Sequence, residues 1–105
     1  MEKNPKVFLG HILENIDLAQ KNLESLSFDD FIKNKTIQDA VVREIEIIGE
    51  ATKNLPEEFK KAYAEIPWRK ISGMRDKIVH EYFDIDLEVV WKTIKNDLPV
   101  FKKQI

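Results

Sequence analysis

Apolar residues recur at steps of three and four along almost the whole chain, the period of one face of an α-helix rather than the alternation of a strand. Leu9, Ile12, Ile16, Ala19, Leu23 and Leu26 step by 3, 4, 3, 4 and 3. A first helix is therefore expected behind Asn4, a residue suited to the N-cap, with Pro5 at the first helical position. Ser25, Ser27 and Asp29 interrupt the pattern, and a short turn of helix from Asp29 to Lys33 is expected to dock Phe28, Phe31 and Ile32 on the core. Asn34 is placed to cap a long second helix, with Ile37, Val41, Ile45, Ile48 and Leu55 as its stripe and Ala40, Gly49 and Ala51 beside it, small enough to admit another helix. Pro56 stops that helix, and Glu57 to Tyr63 reads as a brief amphipathic one. The next is expected to start at Pro67, bend at Gly73, bury Ile71, Met74, Ile78 and Ile85, and end near Phe83. Asp84 or Asp86 then caps a last helix in which Leu87, Trp91, Ile94, Leu98, Phe101 and Ile105 step by 4, 3, 4, 3 and 4. Pro99 has no N–H for the Lys95 carbonyl, so a kink is expected near Leu98.

These elements predict an all-α fold, an antiparallel bundle of four to five helices joined by short loops. A length of 105 residues fits one domain spanning 1–105. Hydrophobic residues, 43% of the chain, suffice for one core, although a chain of this size buries only about two-thirds of its unfolded surface. A second copy or a partner would add to that burial. No run of about 18 apolar residues is present to span a bilayer, and Met1-Glu2-Lys3-Asn4-Pro5 lacks the apolar region of a secretory signal. There is no cysteine, which excludes disulfides and thiolate metal sites, and two histidines, His11 and His80, are too few for an ordinary zinc site. The expectation is a cytoplasmic protein with no membrane contact, no metal and no cofactor.

The net charge of −2 argues against a general nucleic-acid coat and gives no reason to expect DNA binding, but it hides a gradient. Residues 1–59 carry seven basic and twelve acidic side chains, a balance of −5. Residues 60–77 carry Lys60, Lys61, Arg69, Lys70, Arg75 and Lys77 against Glu65 and Asp76, a balance of +4. An anionic ligand would be drawn there, and a solvated helix face rich in lysine accounts for the charge equally well.

Within this stretch Arg75, Asp76, His80 and Tyr82 carry the chemistry. On a continuous helix the five-residue step from Arg75 to His80 turns their side chains roughly 140° apart, so the two converge only if the arginine swings round or a second protomer contributes its own segment. Asp76 and His80, four apart, would share a face, and the carboxylate would fix the imidazole tautomer. Tyr82, two turns from Arg75, returns to the arginine's side. Arginine suits a phosphodiester oxygen and the charge of its transition state; histidine moves a proton near neutral pH; RNA brings its own nucleophile, the 2′-hydroxyl.

At these residues the sequence resembles the HEPN superfamily, and most closely its HepT-like toxin branch. Arg75-Asp76-Lys77-Ile78-Val79-His80 fits the superfamily's Arg-x4-6-His with a polar residue after the arginine, and Glu81-Tyr82 completes the branch's Arg-x4-His-x-Tyr. Ile47-Ile48-Gly49-Glu50-Ala51, Pro67-Trp68, Tyr82-Phe83, Asp86, Val90-Trp91 and Asp97-Leu98-Pro99 extend the likeness from about residue 37 onward. The resemblance implies a HEPN-like homodimer whose two motifs face one cleft, acting as a metal-independent endoribonuclease on cellular RNA, tRNA in some members. It implies Arg75 and His80 as the catalytic pair, Asp76 and Tyr82 as supporting residues, and products ending in a 2′,3′-cyclic phosphate and a 5′-hydroxyl. The implied partner is a minimal nucleotidyltransferase antitoxin that transfers AMP to a motif tyrosine, here Tyr82.

Arg43, Glu46 and Glu50, at i, i+3 and i+7 of the second helix, are candidates for the cleft or the dimer contact, and local ion pairs on a charged face explain them as well. His11, Trp68 and Trp91 read as structural or exposed residues rather than as parts of a site. A helical dimer that binds a nucleotide or the nucleotidyltransferase without cutting RNA is the alternative function, since a phosphate pocket need not be catalytic.

Overall fold

The computed structural model describes residues 4–81 and 84–105, the side chains at 79–81 and 84 excepted. Helix α1 (Pro5–Leu23) opens as the pattern predicts, with the Asn4 Oδ1 accepting the Lys6 N–H at 3.0 Å and Pro5 in the first turn. It ends at Leu23, three residues short of Leu26, which is half-buried in the turn beyond. Helix α2 (Phe28–Ile32) starts one residue earlier than expected because Ser27 caps it reciprocally: Ser27 Oγ accepts the Asp30 N–H and the Asp30 carboxylate accepts the Ser27 N–H, both at 3.1 Å. Those bonds hold the Asp30 carboxyl below the usual carboxylate range. Phe31 is wholly buried, whereas Ile32, expected on the core, is 43% exposed. The reason is periodicity: a five-residue helix presents only one residue squarely to the core.

Helix α3 (Lys35–Asn54), capped by Asn34 onto the Ile37 N–H, is the centre of the bundle. Val41, Ile45, Ile48, Ala51 and Thr52 are buried along it, while Ile37 and Ala40 stay half-exposed. It packs on α1 and, elsewhere on its surface, on α5 (Trp68–Ser72) and α6 (Met74–Ile78). Between these lies α4 (Glu57–Ala62), following Pro56 as expected. Asn22, near the end of α1, donates to the Glu44 carboxylate at 2.9 Å, while Phe8, near its start, lies beside Ala51 and Asn54, so α1 and α3 run antiparallel. Burial at this contact pushes the Glu44 carboxyl up, opposed by the hydrogen bond from Asn22.

The expected helix from Pro67 to Phe83 is not one helix. It breaks at Gly73, where the Gly73 N–H folds back to the Arg69 carbonyl at 3.0 Å, and α6 stops at Ile78 rather than near Phe83. The Ile78 carbonyl accepts instead from the Asp86 N–H at 2.8 Å, and β1 (Val79–Glu81) pairs antiparallel with β2 (Asp84–Ile85). Val79 and Ile85 are Cα partners in that pairing. Asp86, of the two proposed caps, is the one used, its Oδ1 accepting the Val89 N–H at the start of α7 (Leu87–Lys92).

The last helical column continues from α7 through a π-helical turn (Thr93–Asp97) into α8 (Leu98–Gln104). The kink expected at Pro99 takes this form: the Leu98 N–H reaches back five residues to the Thr93 carbonyl, widening the turn where the proline ring would meet the Lys95 carbonyl. Val90, Ile94, Leu98 and Phe101 enter the core. Trp91 packs its ring against Phe28 and Phe31, each at 5.6 Å between centroids, with the Lys95 ammonium 5.0 Å above it. Four helical columns, α1, α3, α5–α6 and α7–α8, thus enclose one all-α core. The two tryptophans are packing residues as expected, Trp68 being 8% exposed with its indole N–H on the Tyr63 carbonyl.

Because Phe31 fills the space between α2, α3 and Trp91, Phe31→Ala should lower stability by about 3–5 kcal/mol, read from the urea midpoint. Glu44→Gln keeps an acceptor for Asn22 and removes the desolvated charge. A carboxyl raised in the fold lowers stability as pH climbs through its folded value, so Glu44→Gln should raise the midpoint at pH 7 and match wild type below the ordinary carboxylate range. An unchanged midpoint at pH 7 would count against burial of the charge.

Candidate functional site

Gly49 decides where the third column lies. A Cβ built on it would stand 3.1 Å from the Ser72 carbonyl oxygen, closer than side-chain carbons ordinarily approach backbone, so the bare Cα lets α3 meet the end of α5. Residues 46 and 53 lie three before and four after this contact on its face of the helix, and residue 50, four after 46 and three before 53, borders that face. Glu46, Glu50 and Lys53 accordingly join Ser72, Arg75 and Asp76 around a depression of about 250 Å³.

Arg75, Asp76, Glu46 and Glu50, singled out from the sequence, are thus brought together. Arg75 is exposed, and its Nη1 lies 3.8 Å from the Asp76 carboxylate, a long ion pair between side chains 53% and 76% accessible that holds the guanidinium only loosely. Arg43 is not part of this group. It lines a second depression, of about 400 Å³, with His11, Phe8 and Asn54, and Glu46 and Glu50 form the ridge between the two. Exposed His11 therefore has charged neighbours that its place in the apolar pattern did not suggest.

His80 lies on β1 and not on a helix, so the i, i+4 adjacency expected of Asp76 and His80 does not arise from helix geometry. Val79 pairs with Ile85 and Glu81 with Asp84, so His80 is the extra residue of an irregular register. Such bulges redirect the chain and recur beside active sites. The His80 side chain and Tyr82 as a whole fall outside the described residues. Among the described residues no group of three or more His, Cys, Asp or Glu is placed to hold a metal ion, and no helix is long and apolar enough to cross a membrane.

The depression carries three carboxylates against two cations. The basic excess of residues 60–77 is dispersed: Lys60 pairs with Glu57 at 3.1 Å and Lys70 sits 5.7 Å from the Phe101 ring centroid. Lys53 and Ser72 are the lining residues that sequence reading missed. The signal for Lys53 was its i+4 step from Gly49, usable only once Gly49 is known to be a point of contact.

The model of the ribonuclease HepT-like family matches residues 12–105. The chain belongs to that family. A protein of Thermococcus cleftensis named as a probable ribonuclease HepT is 46% identical over 97% of this chain and 93% of its own length. One from Caldanaerobacter subterraneus, provisionally named an RNase, is 43% identical over 98% of this chain and 92% of its own. A longer protein of Methanocaldococcus jannaschii, named as a gamma-glutamylcyclotransferase and provisional RNase, is 47% identical over the whole of this chain, which spans 47% of it. No solved structure matches. Membership of the family agrees with the helical architecture, and the matched span includes α3, Arg75 and His80.

A branched side chain at position 49 must push α5 away from α3. Gly49→Val should destabilise by about 1–3 kcal/mol in thermal or urea unfolding, whereas Gly10→Ala in α1, where a Cβ meets nothing within 4 Å, should stabilise by about 0.5–1 kcal/mol. Equal effects at the two glycines would rule out close approach as the role of Gly49.

Proposed function

We propose that this protein is a metal-independent endoribonuclease toxin that cuts cellular RNA, tRNA among its substrates, in the cytoplasm. The observation that carries the reading is an exposed Arg75 at the rim of the α3–α6 depression, in a chain of a ribonuclease family. Its planar fork can hold two oxygens of a phosphodiester and offset the charge that builds on them as the bond breaks.

The reaction needs no external nucleophile. The 2′-hydroxyl loses its proton to a base and attacks the neighbouring phosphorus; the bond from phosphorus to the 5′-oxygen breaks, and that oxygen takes a proton. The products are a 2′,3′-cyclic phosphate and a 5′-hydroxyl. His80 serves as the general acid or base and Arg75 as the phosphate ligand, with Asp76 in support beside the guanidinium. Glu46 and Glu50 border the same space.

The working unit is a homodimer with two such depressions facing one cleft. At about 250 Å³ the depression of a single chain falls below the roughly 300–1,000 Å³ of a complete ligand pocket, which supports a site finished by a second copy. A nucleotidyltransferase antitoxin is the neutralising partner: the Tyr82 phenol oxygen attacks the α-phosphorus of ATP, pyrophosphate leaves, and the phenolic proton passes to solvent. An AMP group there adds negative charge and bulk near the motif and opposes RNA binding.

Purified protein incubated with tRNA in EDTA should release fragments with cyclic phosphate ends. His80→Ala should lose about 10²–10⁴-fold in rate and Arg75→Ala at least about 10²-fold. Absence of cleavage by wild type, or equal cleavage by wild type and His80→Ala, would sink the nuclease reading and leave a nucleotide- or partner-binding dimer.

A further inference from the structure

We infer that Lys53 is a second phosphate ligand of the site, holding the RNA backbone next to the phosphate at Arg75. The substrate class rests on the ribonuclease reading; the residue itself is assigned by geometry. Lys53 is exposed on the last turn of α3 and lines the depression with Ser72 and Arg75. Among the described residues, Lys53 and Arg75 are the two cations of that lining. Among the same residues Lys53 has no ion pair or hydrogen bond, unlike Lys35, Lys60, Lys92, Lys95 and Lys102, which hold an acidic side chain or a carbonyl. Its ammonium is left for a ligand.

Charge across the depression sets the path. The α3 side of the lining carries Glu46, Glu50 and, at the end of the helix, Lys53, and the α5–α6 side carries Ser72, Arg75 and Asp76. A polyanion is repelled by Glu46 and Glu50 and drawn to the end of α3, where Lys53 lines the depression with Ser72 and Arg75. Two cations from different helices around one depression match two oxygens of a phosphate, or two successive phosphates, better than a single charge does. The contact of Gly49 with Ser72 holds α3 against the end of α5, which leads into α6, and so keeps Lys53 and Arg75 around the same depression.

The test is binding of a fluorescein-labelled 2′-O-methyl RNA oligonucleotide, which lacks the free 2′-hydroxyl and cannot be cut, followed by anisotropy across a salt series. Removing one cation that neutralises a phosphate of a single strand should flatten the slope of log K against log salt by about 0.7. Lys53→Ala should show that decrease and bind about fivefold more weakly near 0.1 M salt, with Lys53→Arg restoring both. Lys35→Ala, which removes the same charge from a lysine already paired with Asp39, should keep the wild-type slope. An unchanged slope in Lys53→Ala, or an equal decrease in Lys35→Ala, would overturn the inference. Wild-type binding without tRNA cleavage would defeat the nuclease reading alone, since Lys53 would still stand or fall on the slope.

Discussion

The arrangement of the helices depends on one close approach, the bare Cα of Gly49 against the carbonyl at the end of α5. Everything on the working face follows from it. Behind the contact, Ile45, Ile48 and Thr52 of α3 join Ile71 and Met74 in the core; in front of it, Glu46, Glu50 and Lys53 come level with Ser72, Arg75 and Asp76. A methyl group at this point would have to displace backbone at a helix end, which yields less readily than a flexible side chain. The cavity and the core on either side are therefore set by the same atom-scale distance.

The elements that carry the site are short. The α5 and α6 helices have five residues each and are separated by the Gly73 break. Helices of that length do not persist alone in water, so their positions are imposed by packing on α3. Trp68 anchors the start of α5 in the core and Ile78 the end of α6. Arg75 stands between these anchors on the exposed side, two residues after the break at Gly73. The long helices α1 and α3, by contrast, have side-chain caps at their starts and broad apolar faces, and they supply the rigid part of the bundle.

The charge pattern acquires a different meaning in three dimensions. The basic excess around residues 60–77 is not a single patch, since some lysines pair with neighbours or cover aromatic rings. What remains at the depression is a mixed field, Glu46 and Glu50 beside Lys53 on α3 and Asp76 beside Arg75 on α6. Such a field gives little non-specific attraction for polyanions, in keeping with a small acidic protein.

Helical class, the caps at Asn4, Asn34 and Asp86, the stop at Pro56 and the disturbance before Pro99 were legible in the sequence because each is a local effect, confined to one turn of chain. The Arg75, His80 and Tyr82 motif was readable for the same reason, as residue types at a spacing rather than as an arrangement in space. Their relative placement was not. Reading the segment as one helix put Asp76 beside His80, and the fold ended that helix at Ile78 because the Ile78 carbonyl found a partner in Asp86, eight residues away in sequence. Nor could spacing on α3 show that Glu46 and Glu50 border two depressions and Arg43 only one of them. The sequence by itself determined the helical class, most of the caps and stops, and the candidate groups for chemistry. Only the tertiary structure decided which of those groups meet, because that depends on how closely two backbones pack, and here it rests on the missing side chain of Gly49.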